Sequence, residues 1–170
     1  MRIVMGCLAV LALCFGAGCS FEGAGGDAAM AETVDTSYDG LAKQFAQSVQ
    51  RGDWAAAYAM TTPEFQATTT QAGLQKEYDD LIAEIRKDEP AFTPNMIEID
   101  RGDLPSDEKE AKETYEFKSI PPKSEWKAWL SASMGTGDKD GFERGVEAWL
   151  FVVSHNGENK FAHVEFAYLD

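Results

Sequence analysis

Cysteine is nearly absent from this chain: Cys7, Cys14 and Cys19 are the only three, and none follows position 19. A disulfide-stapled scaffold is thereby excluded for the body of the protein. Histidine is scarcer still, with His155 and His163 alone, so the clustered Cys and His ligands of a zinc site are missing after position 19. Basic residues are outnumbered, 15 Lys and Arg against 29 Asp and Glu, which leaves a formal charge of −14 at pH 7. A surface of that sign repels nucleic acid and anionic lipid headgroups, and nucleic acid is not expected as a partner. No phosphate loop, dinucleotide fingerprint or Ser-His-Asp order is present. The sequence therefore assigns no catalytic residue, no metal and no cofactor. Asp138-Lys139-Asp140-Gly141 has part of a calcium loop but lacks its third acidic ligand and closing Glu.

What is present reads as a folded protein, with 44% apolar and 26% charged residues. Its long uncharged run is N-terminal. Arg2 is the one charge before Cys19, and Ile3 to Phe15 is almost wholly apolar, the layout of an export signal. The segment then breaks into Gly16-Ala17-Gly18-Cys19. These residues resemble the lipobox of bacterial lipoproteins, in which small residues precede a cysteine that is lipidated and becomes the first mature residue. Gly16 departs from the family, which prefers Leu three residues before that cysteine. The resemblance implies residues 1–18 as signal peptide, Cys19 as the lipidation site, and a lipid bilayer as partner through its acyl anchor. An uncleaved transmembrane helix is the competing reading, since about 20 apolar residues span a bilayer. Ser20 is not the Asp that retains lipoproteins at the inner membrane in some Gram-negative bacteria. The expected location is thus the cell membrane or the outer membrane, with the folded part facing the periplasm or the exterior. Residues 19–35 are Gly-, Ala- and acid-rich without periodicity, a tether whose root-mean-square reach is roughly 20–25 Å.

Residues 36–170, roughly 135 in number, are enough for one ordinary domain. Thr36-Ser37-Tyr38-Asp39 has capping-box character, and Tyr38, Leu41, Ala42, Phe45 and Val49 follow at helical spacing. Gly52-Asp53 ends that helix and caps a second, Trp54 to Met60, with Thr62-Pro63 forming a further cap. Arg51-Gly52-Asp53 and Arg101-Gly102-Asp103 are read as structural, not as adhesion motifs. A third helix runs from about Thr70 to Lys87, with Leu74, Tyr78, Leu81, Ile82 and Ile85 on one face. After Pro94 the period falls to two, giving strands at Met96–Asp100 and Lys112–Ile120; Trp126–Met134 is ambiguous, since Trp126, Trp129 and Leu130 also fit a helix, and is read as strand because a Gly-Asp-rich connection and another strand follow. Gly145–Ser154 and Asn159–Leu169 form a hairpin around Asn156-Gly157. A two-residue turn puts Trp149 opposite Val164, Phe151 opposite Ala162, Leu150 opposite His163 and Val152 opposite Phe161. Trp149, Phe151, Val153, Val164, Phe166 and Tyr168 then share a face that should receive the helices.

Helices first and a meander of antiparallel strands after is α+β. Together with Phe45, Gly52-Asp53, Ala57-Tyr58 and Thr62-Pro63-Glu64-Phe65, this order resembles the cone-shaped superfamily of nuclear transport factor two and ketosteroid isomerase, over residues 36–170. The resemblance implies three N-terminal helices packed on a curved antiparallel sheet. It also implies a cone cavity where enzymes of the superfamily place an acid or base, for which Tyr58, Tyr78, Tyr115 and His163 are the candidates here. Strand alternation sets His163 beside Glu165 on the outer face, and His155 precedes the turn, where it is solvated. The expected function is a membrane-tethered envelope protein whose domain binds a small apolar ligand or an envelope protein. Tyr58, Tyr115, Trp149, Phe151 and Phe166 would line the pocket. The rivals are an isomerase- or dehydratase-type enzyme using the cone and a purely structural envelope protein. A homodimer would use the outer sheet face around Leu150, Val152, Phe161 and His163.

Overall fold

Four helices, each started by the same device, open the computed structural model, which describes residues 37–114, 117, 119–138 and 141–169. They are α1 (Tyr38–Gln50), α2 (Trp54–Ala59), α3 (Pro63–Thr68) and α4 (Gln71–Asp88). Ser37, Asp53, Thr62 and Thr70 are their N-caps, and each side-chain oxygen accepts from the N–H three residues on, at 3.0–3.3 Å. One otherwise orphaned donor is satisfied in each first turn. Between α1 and α2 the Gly52 N–H donates to the Val49 carbonyl and the Asp53 N–H to the Ser48 carbonyl. That is a Schellman closure, and it holds Gly52 at φ +71°. The three expected helices thus become four, because the cap at Thr62, with Pro63 at the first helical position, starts a short helix of its own.

The sheet has four antiparallel strands in the order β1 (Met96–Gly102), β2 (Trp126–Asp138), β3 (Gly141–His155) and β4 (Glu158–Leu169). Trp126–Met134, the ambiguous stretch, is strand. Asn156 and Gly157 at φ 52° and 85° make the tight turn of the β3–β4 hairpin.

Two expectations fail. Among the described residues of Lys112–Ile120 the expected strand is not found: α5 (Glu108–Thr114) takes the first of them, and residues 117, 119 and 120 lie in no strand. Local chemistry favours the helix. The Asp107 carboxylate accepts from the N–H groups of Lys109 and Glu110, and the Glu110 carboxylate accepts from the Ser106 N–H. Both carboxyls are held below their ordinary range, Asp107 first by the Glu110 N–H and Glu110 first by Ser106. The second failure is register. Val152 pairs with Phe161 as expected, but a bulge follows, so Phe151 pairs with His163, Leu150 with Val164 and Trp149 with Glu165. Ala162 is the extra residue. One inserted residue exchanges the two faces of everything beyond it.

The faces are accordingly sorted differently from the alternation of the bare sequence. Val146, Ala148, Leu150, Val152, Phe161, Val164 and Phe166 lie under the helices with Phe45, Val49, Trp54, Leu74, Tyr78 and Ile85. Leu150, Val152 and Phe161 are fully buried there, so the outer face assigned to them for a dimer is made of other residues. Trp149, Phe151 and Val153 point the opposite way, into a second cluster with Ala111, Phe117, Trp126, Trp129 and Ala162. Residues 60–62 run along the free edge of β4, where the Thr62 N–H donates to Phe161 and the Phe161 N–H to Met60. Farther along, Glu77 accepts from the Phe166 N–H at 3.0 Å. These contacts occupy an edge that would otherwise invite pairing.

Candidate functional site

The space between helices and sheet, where a cone cavity was expected, is filled by rings. Phe45 meets Phe161 at 5.3 Å and Phe166 at 6.3 Å, and Tyr78 meets Phe166 at 5.4 Å and Trp54 at 5.6 Å. Centroid separations of this size are ordinary close aromatic packing. Phe166 belongs to this layer, whereas Trp149 and Phe151, grouped with it by sequence, are on the far side of the sheet. Tyr58 is half-buried beside the layer, and its hydroxyl donates to the Thr69 carbonyl at 2.8 Å, tying α2 to the end of α3. Burial pushes the Tyr78 phenol up to about 12, Asp79 adding to the shift and Arg86 opposing it. It is therefore a neutral donor at physiological pH. Tyr115 and Cys19 lie outside the described residues, as do Lys139 and Asp140 of the acidic loop.

Open space is found on the outer face. Register fixes its composition: Gly102, Trp129, Phe151 and His163 form one row across the four strands, and Asp100, Ser131, Trp149 and Glu165 form the next. His163 is on this face beside Glu165, as alternation implied, but it is only 8% exposed. Its ring stacks on Phe117 at 4.4 Å, and its Nε2 is 3.3 Å from the Glu165 carboxylate. That pair borders a cleft of about 280 Å³ whose walls include Phe65, Thr69 and Glu77. A second cleft, of about 210 Å³, holds Glu64, Glu125 and His155, with His155 Nδ1 3.9 Å from Glu64. Both clefts touch Ser119 and Ala162, so they flank the segment that crosses the bulge. His155 is only partly exposed, its side chain retaining about a quarter of its free surface.

Sequence reasoning missed this face as a site because its geometry depends on the bulge at Ala162 and on α5, neither of which follows from strand alternation. The Asp107-Glu108-Lys109-Glu110 spacing was the one local signal for α5. Among the described residues no three or more His, Cys, Asp or Glu converge as a metal-ligand set, and no helix is long and apolar enough to cross a membrane. No family model matches the chain, and neither a curated protein nor a solved structure matches it.

Proposed function

We propose that this chain is an exported lipoprotein, tethered to a membrane through acyl chains on Cys19, whose domain is a binding module working through a cleft at the β4 edge of its sheet. The anchor half rests on Ala17-Gly18-Cys19 closing an uncharged segment, with no later cysteine to use the thiol otherwise. One observation carries the binding half. The space between helices and sheet is filled by packed rings, while the β4 edge, between α3, α4 and the His163–Glu165 pair, keeps a cleft of about 280 Å³ bordered by apolar, hydroxyl and charged groups together. Mixed walls of this kind orient a ligand as well as shelter it. The fold is read as the cone of the nuclear-transport-factor-two superfamily with its interior filled, the bulges in β2 and β4 bending long strands as such a sheet requires.

Two experiments on the full chain test the halves separately. Cys19→Ala should release the protein from membranes or leave it as precursor; unchanged membrane partition would instead support a transmembrane anchor. A photo-crosslinking residue at Thr69, on the cleft, should yield a discrete adduct in the cell envelope, and one at Ala83, on the exposed side of α4, should not. Equal labelling at both positions, or at neither, would remove the cleft as the binding site.

A further inference from the structure

We infer that the outer face carries a second, separate site, a tryptophan-walled notch over Ser131 that binds a small organic ammonium ion. It shares no lining residue with the cleft at Thr69. The notch follows from register. Ser131 on β2 sits between Asp100 on β1 and Trp149 on β3, with Trp129 two residues back along its own strand. A small hydroxyl residue thus forms a floor between two indoles, whose centroids are 6.4 Å apart and whose planes are inclined at 55°. The inclined pair makes a wedge instead of a closed stack, with Trp149 half-buried and Trp129 only 8% exposed. The Trp129 wall is built in: its ring leans over Gly102, where a β-carbon would come within 2.4 Å of Cδ1. A side chain at position 102 would have to displace the ring. The volume is about 290 Å³, at the small end of ordinary ligand clefts, about 300–1000 Å³. It suits a headgroup-sized molecule.

Charge selects the ligand class. The notch row ends in Asp100 and Glu165, and the next row across the strands is Glu98, Ser133, Glu147 and Ala167. Among the described strand residues these two rows hold four carboxylates and no Lys or Arg. Arg101 touches the cleft, but its guanidinium is engaged by Asp39, Nε to Oδ1 at 2.9 Å and Nη2 to Oδ2 at 3.0 Å. The Trp149 Nε1–H donates to the Glu147 carboxylate at 2.7 Å, which fixes that ring and adds electron density to its face. Aromatic faces attract cations through the ring quadrupole, Trp most strongly. A bare metal ion would need carboxylates gathered on one point, and no such set is found among the described residues. Dispersed carboxylates around two indole faces suit a cation whose charge is spread over alkyl groups.

The test uses the full chain in uncharged detergent, titrated with choline and with 3,3-dimethylbutan-1-ol, which has the same shape without the charge. Choline should bind saturably and shift tryptophan emission, and the neutral analogue should bind at least about tenfold more weakly. Trp149→Ala should abolish choline binding. Ser131→Leu, which fills the notch and leaves both indoles in place, should do the same with an unchanged near-ultraviolet circular dichroism spectrum. Asp100→Asn combined with Glu147→Gln should weaken choline by about tenfold and leave the neutral analogue unaffected. Equal affinity for the two probes, no choline binding by the wild-type chain, or undiminished binding by a folded Ser131→Leu variant would each overturn the inference. So would calcium competing with choline at equal concentration, since that would mark a site for inorganic cations.

Discussion

Phe166 shows what a single residue does in this molecule. It meets Phe45, Trp54 and Tyr78 within 5.4–6.3 Å and is nearly inaccessible. Its truncation removes contacts to three rings at once, so Phe166→Ala is expected to lower the unfolding free energy by about 3–5 kcal/mol. Urea unfolding followed by circular dichroism measures that loss. A change below about 1 kcal/mol would mean an interior loose enough to be a cavity. Tyr78, in the same layer, makes a pH prediction. Its phenol titrates at about 12 when folded against an ordinary value of 10.0, so the unfolded chain gives up the proton first. The contribution is complete below pH 10 and is lost as pH rises towards 12, a total of roughly 2–3 kcal/mol. Tyr78→Phe should flatten the alkaline limb of a stability–pH curve between those values and leave the neutral region unchanged.

At the scale of elements, Ala162 decides the most. It is the unmatched residue of the β3–β4 bulge, and it places Val164 and Phe166 under the helices and His163 and Glu165 outside. Deleting Ala162 would remove the unmatched residue and leave each pair beyond it in place, Phe151 with His163 and Leu150 with Val164, so that Val164 and Phe166 stay under the helices. The cost is that of one small buried side chain and a local change of strand bend, against a total stability of about 5–15 kcal/mol for a domain, so the deletion variant should keep a cooperative unfolding transition. Loss of the cooperative transition would mean that the strand does not hold this register once Ala162 is removed. The same residue marks the limit of what could be read in advance. Ser37, Gly52-Asp53, Thr62-Pro63, Thr70 and Asn156-Gly157 announced caps and turns because each meets a local backbone need with a characteristic side chain. Alanine at a bulge meets no such need. Tyr115, Phe117 and Ser119 gave a period-two pattern that suggested a strand, yet Asp107 and Glu110 committed the preceding residues to α5, and Phe117 instead packs on Trp129, Phe151 and His163.

For the whole molecule, the arrangement is one sheet with a sealed side and an open side. Helices α1 to α4 cover the first, and the second is covered in part by Ala111, Phe117 and Ile120 against Trp126, Trp129 and Phe151. The α+β class and the strands expected over Met96–Asp100, Gly145–Ser154 and Asn159–Leu169 were legible because caps, turns and period are local, while Trp126–Met134 stood open between strand and helix. The site was not, because whether a residue lines a cleft or fills a core depends on which face a distant bulge assigns it. Trp149 and Phe151 illustrate this: their alternation was read correctly, and the face was not. The tether reading comes from the sequence alone, and it gives the open side its setting. If Cys19 is lipidated as proposed, a leash with a reach of roughly 20–25 Å would hold the binding face near the membrane without fixing its orientation.

The most direct measurement is mass spectrometry of the N-terminal peptide of the protein purified from the membrane fraction. A mature chain beginning at Cys19, carrying diacylglycerol on its sulfur, is the predicted result. A peptide that begins at Met1, or one in which Cys19 carries a free thiol, would contradict it.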